Sequence, residues 1–233
     1  MKKLIFTSVL AMVFAGGLLT AVVFRSSNNG ELAIAEEKVS KTENIKLPAP
    51  KYDGPVSVEK ALLERRSIRA YKEEPLALSD VSQILWAAQG ITDSATGHRT
   101  APSAMARYFL EVYLIPGNVT DLPMGIYKYQ PQGHELVVIA EGDFKSKLFE
   151  AAGQAPIKNA PAALVICGMS ERSTNPNWMY LEAGHAAQNV YLQAVSLKLG
   201  TVVMAGFKGE EVRKALNISP KEEPIYIMPI GKK

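Results

Sequence analysis

Hydrophobic positions follow three rhythms along this chain. From Leu4 to Phe24 they form an uncharged run; residues 25 to 54 show no apolar period; and from Pro55 onward helical and strand spacings alternate. In that last part, three- and four-residue spacing predicts helices over 56–66 and 78–89, with Ser79 offering a cap for the second. A loop rich in Gly, Thr, Ser and Pro follows from Gly90 to Met105. The aromatic and branched stretch Tyr108 to Ile115 reads as a buried strand, and "GIYKY" and "HELVVIA" as two more joined by a Pro-Gln-Gly turn. Beyond them come a short helix over 143–151, the strand "ALVICG", a long helix from about Asn177 to Leu199, the strand "TVVMAG", the helix "GEEVRKALN" and the strand "IYIMPIG". Local hairpins among helices predict an α+β fold with an antiparallel or mixed central sheet surrounded by helices. Ala183, Ala186, Ala187, Val190 and Ala194 give the long helix a small-residue stripe suited to close packing, either inside the chain or between subunits.

The uncharged run follows Lys2 and Lys3 and spans 21 residues, which as a helix at about 1.5 Å per residue reaches roughly the thickness of a bilayer core. A retained anchor is one reading; cleavage after "AIA" at Ala33 to Ala35 is the other. In both, the rest of the chain is expected outside the cytoplasm, with membrane contact through residues 4–24 if the leader is kept. The expected organisation is leader 1–24, flexible linker 25–54 and globular domain 55–233.

Composition narrows the chemistry. Of 233 residues 47% are hydrophobic and 21% charged, and a formal charge of +3 without a basic stripe argues against a nucleic-acid partner. The single cysteine, Cys167, lies among apolar neighbours and reads as a buried thiol. Three dispersed histidines give no metal-ligand spacing, so no metal is expected; His98 and His134 read as solvated.

The segment "ERRSIRAY" gathers Arg65, Arg66, Ser67 and Arg69 at a helix end. Such arginines can satisfy the last carbonyls of a helix, or can bind an anionic small molecule through bidentate guanidinium contacts. The sequence contains neither a Rossmann nor a P-loop glycine fingerprint. Together with "RTAPSAMARYFLEVYLI", "EAGHAAQNVYLQAVSLKLGTVVMAGF" and "IYIMPIGK", in this order, the chain resembles the nitroreductase-like FMN-dependent oxidoreductases, most closely the SagB-type dehydrogenase branch, over about residues 55 to 232.

That resemblance implies FMN held by Arg65, Arg66, Ser67 and Arg69. It implies a loop of Pro102, Ser103, Ala104 and Arg107 that reaches the flavin of a partner subunit, and a turn at Ala205 and Gly206 facing flavin N5. Lys232 would lie near the phosphate, and the protein would be a homodimer. Where the related pattern reads Pro-Ser-Ala-Gly-Ala-Arg-Tyr-Pro, this chain has Met105 and Phe109; the methionine either narrows a substrate pocket or fills core space. Tyr180, Glu182 and His185, near the start of the long helix, are candidates on the substrate side, with Tyr180 and His185 as proton donors. The alternative puts Glu182 at a favourable helix start and His185 in a buried network. The implied reaction is hydride transfer through flavin N5 to or from a small electron-poor organic molecule, in the manner of a nitro- or quinone reductase with NAD(P)H as conventional donor. Two other readings are an azoline-type or other peptide or small-molecule oxidase, and a non-catalytic, membrane-tethered flavin sensor or scaffold.

Overall fold

The computed structural model describes residues 10–15, 18–26, 32–37, 44–172 and 175–233, which fall into two units, 1–43 and 44–233. In the first, β1 (Leu10–Ala15), β2 (Leu18–Ser26) and β3 (Leu32–Glu37) pair antiparallel in chain order. A helix is thus not found at 10–15 and 18–24 of the expected leader, whose residues 1–9 and 16–17 lie outside the described ones. Among the described residues no helix is long and apolar enough to cross a membrane. The run is rich in Val, Phe and Thr and is interrupted by Gly16-Gly17, a composition that suits paired strands at least as well as a helix.

The second unit begins at Asn44, so the expected linker is shortened at its end. There β4 (Ile45–Lys46) pairs with a sheet edge, and Leu47 is buried. Further along, the Gln83 side-chain amide accepts from Lys51 N at 2.8 Å and donates to Lys51 O at 2.9 Å, replacing the ladder partner that this proline-interrupted segment lacks.

Next come α1 (Val58–Glu64), α2 (Leu78–Gln89), a small hairpin of β5 (Ile91–Asp93) and β6 (His98–Arg99), and the strands β7 (Leu110–Pro116), β8 (Gly125–Gln130) and β9 (Glu135–Glu141). They are followed by α3 (Phe144–Ala152), α4 (Ala155–Asn159), β10 (Ala162–Met169), α5 (Pro176–Ser196), β11 (Leu199–Thr201), α6 (Gly209–Ala215) and β12 (Glu222–Lys232). The sheet order is β11-β12-β10-β7-β8-β9-β4, with every ladder antiparallel.

Helices cover both faces of this sheet, which explains the largely apolar sequences of its central strands. Leu110, Val112, Leu114, Leu164 and Ile166 point toward α2 and α5, while Tyr113, Ile115, Ala163, Val165 and Cys167 point toward α3, α4 and α6. Each aliphatic side chain so enclosed contributes about 1.5–3 kcal/mol of burial free energy. The alanine stripe of α5 belongs to the first of these cores. Small side chains there let the helix lie close to the sheet and α2, so the stripe is an internal contact, and the outward face of α5 carries Leu181 and His185.

Two predicted details change. The strand "TVVMAG" pairs only as far as Thr201, with one later bridge from Met204 to Ile227, leaving Ala205 and Gly206 exposed in a turn. His134 is not simply solvated: its Nδ1 lies 2.8 Å from the Tyr129 hydroxyl and its Nε2 2.7 Å from Ser82 Oγ, and burial lowers its pKa. Ser82 in turn donates to Pro48 O at 2.6 Å, so this cluster clasps the incoming chain to α2 and the hairpin of β8 and β9. Cys167 is buried, and burial raises its thiol pKa well above the usual range.

Candidate active site

The arginine cluster lies where α1 ends. Arg66 Nη1 donates to Leu63 O at 2.9 Å and Arg65 O at 2.7 Å, answering carbonyls that the helix leaves unpaired. For Arg66 the helix-capping role therefore holds. Arg65 behaves differently, its guanidinium lying over the Tyr191 ring of α5 at 5.2 Å from the centroid. The Tyr191 hydroxyl shares a 3.2 Å hydrogen bond with Ser67 and accepts from Val203 N at 2.8 Å, while Ile68 N donates to Thr201 O at 2.9 Å. One tyrosine thus joins the arginine segment to the strand that leads into the Ala205–Gly206 turn. Arg69 is exposed and makes no hydrogen bond or ion pair with any described residue. Gly206 also faces open space, since a Cβ built on it meets nothing within 4 Å. Its carbonyl accepts from Gln154 Nε2 at 3.1 Å, which steadies the turn from behind.

Residues 102–109 form a second structure on α5. Glu182, only 1% exposed, accepts from Ser103 Oγ at 2.6 Å and Phe109 N at 3.1 Å through Oε2, and from Gln89 Nε2 at 3.3 Å through Oε1. Ser103 Oγ also accepts from Tyr108 N at 2.8 Å, so its proton is committed to Glu182. Between these anchors Met105, Ala106 and Tyr108 adopt φ of 54°, 52° and 52°, a left-handed conformation that costs roughly 1–2 kcal/mol per residue outside glycine. Met105 thus keeps a glycine-like backbone, and at 66% exposure it does not fill core space. Phe109 is the core residue of this stretch, fully buried and 6.3 Å ring to ring from Trp178.

The two proton-donor candidates do not converge. Tyr180 donates to Glu223 Oε1 at 2.8 Å at the surface, and that bond raises its pKa. His185 Nδ1 donates to Pro102 O at 3.2 Å, supporting the loop rather than sitting in a buried network. Tyr180 and Glu182 are two residues apart on a helix, hence on nearly opposite sides, and only Glu182 faces inward.

The model of the Nitroreductase family matches residues 62–232. The chain belongs to the nitroreductase family. A provisionally named nitroreductase of Methanocaldococcus jannaschii is 42% identical over 185 residues, covering 76% of this chain and 92% of that one. Among solved structures, a provisionally named nitroreductase of Ralstonia eutropha has TM-score 0.72 at 30% identity, covering 83% of this chain and 91% of that one. Another, from Desulfovibrio desulfuricans and solved in complex with FMN, shares the fold with TM-score 0.58 at 20% identity, covering 76% and 86%.

As a member of this oxidoreductase family, the chain has residues that fit the phosphate-bearing flavin the family uses. Arg69 donates to no described residue, Ser67 is exposed two positions before it, and the turn at Ala205–Gly206 leaves room for a planar ring against its backbone. Lys232 is less ready, because its Nζ is paired with Glu74 at 3.1 Å. Pro102, Ala104 and Arg107 sit at the rim of the α5 loop, with Arg107 donating to Arg172 O at 3.4 Å. In the sequence, nothing singled out Tyr191; an aromatic hydroxyl at the half-buried edge of a long helix was the available signal. A cavity of about 780 Å³ lies elsewhere, between residues 49–58, α2 and α5, and includes none of the flavin candidates. Among the described residues no group of His, Cys, Asp and Glu is arranged to hold a metal.

Proposed function

We propose that this nitroreductase-family chain is an FMN-dependent oxidoreductase acting on small electron-poor organic molecules, with a reduced nicotinamide as conventional donor. The observation that carries this reading is the Tyr191 hydroxyl, which draws Ser67 and the strand before the Ala205–Gly206 turn into one wall, in the segment that continues to the exposed Arg69. Bound FMN would supply hydride chemistry at its N5. Arg65, Ser67 and Arg69 would hold its phosphate, ribityl chain and pyrimidine edge, with Arg66 and Lys232 adding positive charge. Ala205 and Gly206 would offer backbone to the ring with no side chain intruding.

Assembly as a homodimer completes this reading. The loop from Pro102 to Arg107 rests on His185 and Glu182, whereas the arginine wall rests on Tyr191, six residues and about 9 Å further along α5 from His185. A loop so placed suits a neighbouring copy's flavin, and the exposed Val58, Leu62, Leu63 and Leu181 suit burial between copies. We place the domain outside the cytoplasm, on a retained or cleaved leader, where the electron donor need not be a nicotinamide.

The test is a visible spectrum of the full-length chain in detergent, alone and after adding FMN. Bound oxidised flavin absorbs in the blue, and Arg69→Ala combined with Ser67→Ala should release it while the fold persists by circular dichroism. Failure of the wild-type chain to retain any FMN would overturn the proposal.

A further inference from the structure

Behind the 102–109 loop runs a chain of polar groups whose direction is fixed. Arg99 Nη1 donates to Gln89 Oε1 at 2.9 Å, Gln89 Nε2 donates to Glu182 Oε1 at 3.3 Å, and Glu182 receives Ser103 and the backbone of Phe109 on its other oxygen. A guanidinium has only donors, so the carbonyl of Gln89 must face it and the amide must face Glu182. Glu182 meets donors on every side, so only an acceptor on both oxygens fits there. Arg99 also grips the loop from outside, its guanidinium 4.4 Å from the Tyr108 ring centroid and its backbone N donating to the Tyr108 hydroxyl at 3.1 Å. Gln89 and Glu182 are each 1% exposed, so water does not readily substitute for a lost partner.

We infer that the Arg99–Gln89–Glu182 relay is a positioning device that holds Ser103 to Phe109 in its left-handed shape and thereby sets how the loop meets flavin. This rests on the flavin reading above, and on the nearly complete burial of a carboxylate that makes no ion pair with any described residue yet serves three donors on two sides of the loop. Without the relay, three left-handed non-glycine residues have no reason to stay in that conformation.

The polarity makes the inference testable by moving the charge. Glu182→Gln keeps the shape but turns one oxygen into a donor: if it keeps its carbonyl toward Ser103 and Phe109, its amide faces the amide of Gln89, and turning Gln89 over sets that amide against Arg99. Adding Gln89→Glu restores agreement, because the new carboxylate accepts both from Arg99 and from the amide that Glu182→Gln introduces.

Three full-length proteins are compared, wild type, Glu182→Gln and the double variant. They are read by FMN affinity from flavin-fluorescence quenching, by the rate of tryptic cleavage after Arg107 without flavin, and by circular dichroism. The single variant should bind FMN about tenfold more weakly and be cut after Arg107 about tenfold faster, and the double variant should recover most of both losses. If the single variant fails to fold, recovery of the fold in the double variant is the supporting result. A double variant no better than the single one, or a single variant equal to wild type, overturns the relay. If wild type binds no FMN while the cleavage pattern behaves as expected, the flavin reading falls and the relay stands as a determinant of loop shape.

Discussion

Replacing Tyr191 by phenylalanine isolates the contact on which the proposed site turns. The ring stays under Arg65, whose guanidinium is 5.2 Å from its centroid, while the hydroxyl that meets Ser67 at 3.2 Å and Val203 N at 2.8 Å is removed. Ser67 is exposed and can turn to water, so its share of the loss is small. Val203 N is half-buried and loses its partner, and with both bonds the cost comes to about 2 kcal/mol. For a chain of this size that amounts to a fall in melting temperature of roughly 4–8 °C. The same change lets the segment after α1 drift from the strand before Ala205, so FMN affinity should fall about tenfold, as read by quenching of flavin fluorescence on titration. Tyr191→Leu removes the ring as well and should be worse on both counts. A double-mutant cycle with Ser67→Ala should give a coupling of roughly 0.5–1 kcal/mol. Melting and FMN affinity both unchanged in Tyr191→Phe would refute the idea that this hydroxyl joins the two segments.

Three other perturbations have definite signs. His134 is held neutral with its pKa depressed below 6.5 by burial, so the unfolded chain binds the proton more readily; stability is fully present above about pH 6.5 and declines as pH falls toward the folded pKa. His134→Gln should flatten that acid-side slope in denaturant midpoints measured between pH 7 and 5. Met105→Gly removes a left-handed methionine at φ 54° and should raise stability by up to about 1 kcal/mol after the added freedom of the unfolded chain is subtracted, read by urea denaturation. Gly231→Ala places a Cβ 2.8 Å from both Pro161 Cδ and Tyr71 Cβ, neither of them a flexible tip, and should cost about 1–3 kcal/mol in the same assay.

The elements legible in the sequence are those whose burial writes a pattern into it. β7 and β10 are enclosed on both faces and appear as apolar runs, broken in β7 only by Glu111, and the inward stripe of α5 repeats at helical spacing. Residues 44–54 have no such pattern because their backbone is satisfied singly, by the Gln83 amide, Ser82 and a two-residue ladder to β9. The β5–β6 hairpin and α4 are short and escape a window-based reading for the same reason. At the site, charge clustering marked Arg65 to Arg69, but the partner that organises them lies more than 120 residues away, a relation that no local spacing carries. Of Tyr180, Glu182 and His185, the last two, three residues apart, both support the 102–109 loop, while Tyr180, two residues from Glu182, is turned away from it by about 200°.

The two-residue strand β4 also decides how the domain would bear mechanical load. Tension applied to the chain before this unit would enter at Asn44 and meet first the Asn44–Glu135 hydrogen bond, the Lys46–Glu135 ion pair and the short ladder to β9. The clasp of Pro48 by Ser82 and His134 comes next. These are few, and they lie at the sheet edge farthest in strand order from β11 and β12, whose ends carry Thr201 and Lys232. A pull on the N-terminus would therefore peel this strap first and open the 780 Å³ cleft it helps to wall, while the arginine wall on Tyr191 kept its shape. Under such tension the strap would act as a mechanical fuse.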